Sequence, residues 1–506
     1  MKRLGTVKEP YKIFGTAAIA LVIICYIILI MHNGYRFLNS DDSSELVLAR
    51  KLAEQHSILT KDWYYSSELR VMNTNLFFAP MFYFFSSWSA VRAAGGSLLL
   101  IVYAISYLWI PYAWKYEPRW FYLTAFILLM PFAEPWQFFG LKMYYIPHVT
   151  ISFVSFALMG KLYHAQGVRN RCIYILILSA FAFAAGLGGV RSVEYTYIPL
   201  VTAAFIMWFL RRCDTSMLTG VFLAAVFAVC GYLVNDKVLS KAFEYHSYGN
   251  VSFIRFSFEK LEWVADAVLS SFGYVIGEYF MSFGGICNTV AFIMAMLFLA
   301  MFPLLFMKRH EMDETQEFIY WFAAATFFLN TFVMMLGQND EYADRYIAIG
   351  MVPAIMLTDL FYRLYIKRSA RAKIIGGAVI GAFMLLGLKG YTDLIHVSGN
   401  GLRQGYISYL TENGYDYGYA TFWNANITTE MSDGKVDMTS LDPNTDDLRI
   451  FKWLTDKTLL EKEHDKYFLL LDRDETDRYR EAAPVYEDEY YIIYDIDREV
   501  IKDDTE

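Results

Sequence analysis

The sequence predicts an all-α polytopic membrane protein of about 10–12 transmembrane helices with a small C-terminal extracytoplasmic α/β domain. Three observations predict it. The 506 residues are 56% hydrophobic and only 19% charged, against roughly 25% charged in a soluble domain, which excludes an ordinary water-soluble enzyme. Apolar runs of about 16 to 22 residues recur from Thr16 to about Leu394, and a helix of about 18 or more such residues crosses a hydrocarbon core about 30 Å thick. Charge is divided unevenly. Residues 397–506 hold 12 Lys+Arg against 26 Asp+Glu, whereas residues 1–396 hold 32 against 26. The expected organisation is therefore a mildly basic membrane body over 1–396 and an acidic appendix over 397–506.

The N-terminal MKRLGTVKEPYK precedes a long apolar run with no small-residue cleavage site before His32, so it reads as a retained first span. Basic clusters at Lys2/Arg3/Lys8/Lys12, Lys161/His164/Arg169/Arg171, Arg211/Arg212, Lys308/Arg309/His310 and Arg363/Lys367/Arg368/Arg371/Lys373 mark cytoplasmic loops. Between them, spans are expected near 172–188, 195–210, 217–235, 286–307, 318–336, 346–362 and 374–394. This places the N-terminus in the cytoplasm and the acidic tail outside. From Asn75 to Gly160, four segments (Asn75–Ala90, Ser97–Ala113, Phe121–Phe132 and Val149–Gly160) compete where parity allows an odd number, so one is not a span. Ala133–His148 is placed outside, with Lys115 and Arg119 inside.

Two external segments are patterned. In 39–75, Leu46, Leu48, Ala49, Leu52 and Ala53 recur at helical spacing opposite Glu45, Arg50, Lys51 and Glu54, which predicts a surface helix capped by Ser40 or Asp41. Segment 237–278 mixes aromatics and charges and predicts a second interfacial helix or a mobile loop. In the tail, a helix is expected around Leu448–Glu461 and strands at Lys466–Leu471 and Glu489–Ile496. The five cysteines (Cys25, Cys172, Cys213, Cys230 and Cys287) lie in or near apolar segments without a CxxC, so neither a disulfide framework nor a zinc site is expected. No HExxH and no GxxxxGKS-type loop occurs, and the acidic tail disfavours nucleic acid.

The strongest chemical signal is Asn39-Ser40-Asp41-Asp42 just beyond the first span, followed by Glu45 and by the polar stretch from Lys61 to Arg70 that includes Glu68. A carboxylate beside low-dielectric lipid is disfavoured in its charged form, which suits a general base. The bland alternative is that Asp41 caps the surface helix while Asp42 and Glu45 complement its dipole.

A first span, an external Asp-Asp pair opening a surface helix, NTNLFFAPMFYFF (Asn73–Phe85), Trp88, Arg92 and the run AVRAAGGSLLL together resemble the glycosyltransferase C superfamily, GT-C, in an uncharacterised bacterial cell-envelope branch. The resemblance covers the first 110 or so residues by motif and the remaining body by architecture. It implies an inverting enzyme that uses a polyprenyl-phosphate-linked sugar, with Asp41 as the base and Asp42 as second candidate. It leaves metal use open, a divalent cation being possible, and implies no nucleotide. No role passes to the tail segment TFWNANITTEMSDGK.

Three further groups are candidates for donor or acceptor contacts. Glu134, Lys142, Tyr144, Tyr145 and His148 lie in the loop placed outside, where the alternative is an ordinary charged rim. Arg191 and Glu194 follow Gly186-Leu187-Gly188-Gly189, whose glycines break the helix and permit close backbone approach. An arginine fork matches phosphate oxygens, so Arg191 is the first choice for the donor phosphate, with an Arg191–Glu194 structural pair as the alternative. Arg345-Tyr346 opens a late span; an Arg-Tyr there resembles the one preceding a late span in many GT-C members, and a snorkelling arginine in an aromatic belt explains the same letters. Glu68 and Arg70 complete the substrate-binding set.

The leading expectation is transfer of a sugar from a polyprenyl-phosphate donor to a cell-surface glycan or polymer at the outer face of the cell membrane. A lipid-linked oligosaccharide polymerase or ligase is the alternative enzyme, and a lipid-linked-sugar transporter or flippase the alternative outside catalysis. Neither repeats nor paired broken helices support the latter. A non-catalytic scaffold with a protein-binding tail is the remaining reading.

Overall fold

The computed structural model describes residues 9–33, 36–66, 69–245, 258–336, 344–366, 370–396, 402–445, 447–479 and 482–503. The chain forms two compact units. One comprises Met1–Tyr26, Leu99–Val234 and Asn250–Asp393; the other comprises Ile27–Leu98, Asn235–Gly249 and Leu394–Glu506.

The first unit is a helical bundle. Among the described residues, nine helices of the chain are long and apolar enough to cross a membrane, and two shorter apolar helices, Arg119–Leu129 and Val193–Phe209, join them. The protein is a multi-pass membrane protein. Of the four segments competing between Asn75 and Gly160, Asn75–Ala90 is the one that is not a span: it folds as the short helices Asn75–Phe78 and Ala79–Tyr83, with Pro80 in the second. The Arg119–Leu129 passage is itself interrupted. Trp120 donates its indole N–H to Thr358 Oγ1 (2.7 Å) and stacks on Tyr362, while Phe138 lies under Arg345 at the other end of the helix Arg345–Ile366. The chain therefore crosses the bundle through two short helices joined by extended residues around Met130, too broken to show as one apolar helix.

One end of the bundle collects described members of the basic clusters. Arg363 pairs with Asp359 (2.8 Å) and Glu117 (3.0 Å), Arg212 with Glu317 (3.6 Å), and Tyr163 hydrogen-bonds to Glu314. Close helix packing depends on glycine. A Cβ on Gly186 would lie 2.0 Å from the Ala228 carbonyl oxygen, and one on Gly231 2.2 Å from that of Phe183, so the helices Gly167–Gly186 and Thr215–Lys237 touch backbone to backbone. The helix Gly167–Gly186 stops at the glycine run, with Gly189 at φ +101°. In segment 237–278 the described residues, 237–245 and 258–278, form the 3-10 turn Leu239–Lys241 and the helix Phe258–Ser270.

The second unit is α/β. Its five-stranded sheet has Tyr417–Thr421 between Asp437–Leu441 and Tyr467–Asp472, all parallel, followed by the antiparallel Tyr491–Ile496 and Tyr486–Glu487. Two apolar layers cover it. Tyr406, Leu410, Ala425, Phe468 and Ile493 fill one, and Tyr417, Tyr419, Leu469, Leu471 and Tyr494 fill the other, in the alternation the strand period requires. The helix expected around Leu448–Glu461 does not form. Thr455–Asp456 instead pairs antiparallel with Trp63–Tyr64, and only Lys457–Leu459 makes a 3-10 turn. The competing pull is tertiary: Trp63, fully buried among Leu48, Leu52 and Leu69, draws its neighbouring backbone onto this segment.

The helix Ser40–Glu54 forms as expected, with a different cap and a different cover. Asn39 is the N-cap, accepting from Asp42 N (3.0 Å) while Asp42 Oδ2 accepts from Asn39 N (3.1 Å). The helix packs against the helix Phe422–Met431, whose Asn426 N–H donates to Ser40 Oγ (3.1 Å).

Candidate active site

The two groups of candidate residues fall in different units. In the bundle, the helix Glu134–Gly140 ends in a tight turn with Met143 at φ +64°, where Lys142 N donates to Gln137 O (2.7 Å) and Tyr145 N to Phe138 O (3.2 Å). This turn sets Lys142 and Tyr145 around Phe138. The Lys142 ammonium lies 5.0 Å from the Phe138 ring centre, and the Arg345 guanidinium lies 5.1 Å from that same centre and 5.4 Å from the ring of Tyr346. Both are cation–π distances. Tyr145 touches Phe138, Tyr144, His148 and Tyr346. Burial pushes its phenol up to about 12, opposed first by the charge of Arg191 and also by that of Arg345. The charges of Arg191 and Glu194 act in opposite senses on the neighbouring buried Tyr195.

The bundle thus gathers Lys142, Tyr144, Tyr145, His148, Arg191, Glu194, Arg345 and Tyr346 at the end opposite the basic clusters. Glu134 stands exposed in the first turn of its short helix, outside these contacts. Phe138 and Tyr195 are the members that sequence reasoning misses. Each looks like one apolar letter among 41 phenylalanines and 39 tyrosines, and only the turn at Met143 distinguishes Phe138.

Beside this cluster an apolar cavity of about 110 Å³ runs along the bundle, lined by Trp136, Phe272, Phe298, Met351, Phe383 and Trp120 among others. It extends from Trp136, two residues from Phe138, to Trp120 at the basic end. The buried indole N–H of Trp136 has no hydrogen-bond partner.

In the second unit, Asp42 is buried at 4% exposure and spent on the capping box, whereas the half-buried Asp41 takes no part in that box. Ser44 Oγ donates to the Asp41 carbonyl (2.7 Å). Arg92 holds the pair from behind: its NH2 donates to the Asp42 carbonyl (2.9 Å), and its fork grips Glu430 through Nε–Oε1 (2.7 Å) and NH2–Oε2 (2.6 Å). Both side chains are nearly inaccessible, at 3% and 0%. Further along the helix, Arg50 meets Asp437 (3.1 Å) and Lys51 meets Asp456 (2.7 Å). Burial raises the Asp437 carboxyl, and the Arg50 charge opposes that rise. Glu45 accepts from Thr74 Oγ1 (2.5 Å) and Asn75 Nδ2 (3.3 Å), tying down the turn after Arg70. Arg70 is half-buried in this unit, and Glu68 lies outside the described residues.

The TFWNANITTEMSDGK segment, which carries no role in the sequence reading, supplies Glu430, Asn426 and Asp433; the last accepts from Trp88 N (2.8 Å). Among the described residues, no group of three or more His, Cys, Asp or Glu side chains gathers to hold a metal ion.

No family model and no curated protein matches the sequence. Among solved structures, an oligosaccharyltransferase from Archaeoglobus fulgidus, tethered through a disulfide to an acceptor peptide containing an NVT sequon, is similar at a TM-score of 0.46 and 10% identity, over 91% of this chain and 69% of that one. Similarity at that level carries no functional argument, and the reading below stands on the residues.

Proposed function

We propose that the protein is an integral-membrane glycosyltransferase of the GT-C type that moves a sugar from a polyprenyl-phosphate donor to a cell-surface glycan or polymer at the outer face of the bacterial cell membrane. The observation that carries this reading is the placement of Lys142 and Arg345 on one aromatic ring, with Arg191 acting on the adjoining Tyr145. Two cations beside a single ring repel one another, and a bound phosphate relieves that repulsion while accepting charge-assisted hydrogen bonds. The apolar cavity starting at Trp136 suits the donor's hydrocarbon chain.

In this reading Arg345, Arg191 and Lys142 hold the donor phosphate and stabilise the charge it gains as leaving group. Asp41 takes the proton of the acceptor hydroxyl as its oxygen attacks the anomeric carbon, which inverts that centre. Tyr144, Tyr145, His148, Glu194 and Tyr346 line the sugar. Glu134, Arg70 and Glu68 remain candidates for the acceptor. Asp42 positions Asp41 through the cap rather than acting on substrate. In this reading the nine long apolar helices and the two shorter ones among the described residues all cross the membrane, and that odd number supports a cytoplasmic N-terminus and an external C-terminal domain.

The test is transfer of radiolabelled sugar from a polyprenyl-phosphate donor by purified protein. Asp41→Asn should keep its melting temperature and lose transfer; full turnover by that variant would remove Asp41 as base. Sugar moved across vesicles without covalent transfer would replace this reading with a flippase.

A further inference from the structure

The end of the bundle opposite the candidate site carries a second, polar cavity of about 450 Å³, lined by Tyr163, Arg171, Arg211, Arg212, Asp214 and Ser216 with flanking apolar residues. It opens where the end of Ile146–Tyr163 and the start of Gly167–Gly186 meet the turn joining Val193–Phe209 to Thr215–Lys237.

The turn has a defined geometry. Arg212 N donates to Met207 O (2.8 Å) and Arg211 N to Trp208 O (2.9 Å), the paired bonds of a Schellman motif. Arg211 occupies its left-handed position at φ +60°, where glycine is the favoured residue. The turn therefore presents two consecutive arginines at the cavity at some cost in backbone strain.

Three arginines line the cavity against one carboxylate, Asp214. Asp214 is engaged twice, by Arg171 (2.5 Å) and by capping Met217 N (2.9 Å). Glu317, outside the cavity lining, pairs with Arg212 at 3.6 Å, and Glu314 takes the Tyr163 hydroxyl. Among the described residues, no acidic group lies within ion-pairing distance of Arg211. Just along the same helices the surface turns apolar and open: Val168, Leu176, Phe205 and Phe209 are 79%, 70%, 51% and 72% exposed. A charged cavity bordering an apolar face matches an amphiphile with an anionic head.

We propose that this cavity binds the phosphate of an anionic phospholipid, with Arg211 and Arg212 on the head group and the acyl chains along Phe205 and Phe209. The site is separate from glycosyl transfer and stands whether or not that reading holds. A soluble phosphate shares the head-group chemistry but leaves the apolar border without a role.

The test measures retention of phosphatidylglycerol by the full-length protein in detergent, by native mass spectrometry, with phosphatidylcholine and inorganic phosphate as parallel probes. Wild type should retain phosphatidylglycerol over phosphatidylcholine, and Arg211→Gln/Arg212→Gln should lower that affinity about tenfold or more. Arg309→Gln, at the same end but outside the cavity, should not change it. Arg211→Gly guards against a folding artefact. It releases the left-handed strain, so it should raise the lipid-free melting temperature by roughly a few degrees while weakening phosphatidylglycerol binding. Equal retention by wild type and both Arg211 variants overturns the proposal. Stabilisation by inorganic phosphate without lipid retention overturns the phospholipid as ligand.

Discussion

Arg92 in the α/β unit is buried and Arg345 in the bundle half-buried, and their surroundings differ in kind. Arg92 is met by a carboxylate whose two oxygens match its fork, with a backbone carbonyl completing the set. Arg345 is met by the faces of Phe138 and Tyr346, and a second cation shares the first of these rings. Arg50 and Lys51 repeat the first pattern with Asp437 and Asp456. A carboxylate cancels a cation's charge and makes it a fastener. An aromatic face stabilises the cation while leaving its charge to act on an incoming anion. The partner of a buried cation thus separates residues that build the site from residues that would use it.

The comparison breaks first at Arg92. Arg92→Ala strands Glu430 in a site without water and should cost about 3–5 kcal/mol, read as a lowered unfolding midpoint of the full-length protein, while Arg92→Ala/Glu430→Ala should cost less than the two single changes summed. Equal additivity would mean the pair is not coupled. At the bundle's glycine contact, Gly231→Ala pushes a methyl into the Phe183 carbonyl and should cost about 1–3 kcal/mol; an unchanged thermal midpoint would mean that the two helices separate without cost.

Much of the fold was legible because its signals are local. Long apolar runs, basic loops and the i, i+3, i+4 pattern after Asn39 each reside in one stretch of chain, and the strands expected at Lys466–Leu471 and Glu489–Ile496 form at Tyr467–Asp472 and Tyr491–Ile496. What was hidden is relational. The capping box chose Asn39 over Ser40 and Asp41 because Asp42 answers it three residues on. The helix expected near Leu448 lost to pairing with Trp63–Tyr64, some 390 residues away in sequence. Of the candidate site, Arg191, Arg345, Lys142 and Tyr145 could be named from their types and positions, but the ring that joins the last three, Phe138, has no signature in a chain this aromatic. Glu430 was equally hidden, as one of 26 acidic residues in the tail.

The aromatic side of the comparison sharpens at Tyr145. Tyr145→Phe keeps the ring contacts and removes the phenol beside Arg345 and Arg191, so transfer should fall by roughly a factor of ten or less, as for one hydrogen bond, with the melting temperature unchanged. A loss of fold would place Tyr145 among the fasteners.

The smallest effect is expected in the α/β sheet. Burial raises the carboxyls of Asp472 and Glu475, so their protonated forms favour the folded state. Their contribution is present below the unfolded carboxylate range and is lost as pH rises through the folded values. Stability should therefore increase slightly as pH falls from 7 toward 5. Asp472→Asn should raise the pH 7 melting temperature by roughly a degree or two, with the difference closing at pH 5; a lowered midpoint at pH 7 would reverse the sign.

The most direct measurement is the donor dependence of sugar transfer by purified wild type and Arg345→Gln, with melting temperatures taken on the same samples. The account predicts that kcat/KM for the polyprenyl-phosphate donor falls about 10- to 100-fold, the worth of a charge-assisted contact to phosphate, while the fold is as stable as before. An unchanged kcat/KM, or a loss of activity that follows a loss of folding, would show that Arg345 is a fastener like Arg92 and that the ring-bound cations do not hold the donor.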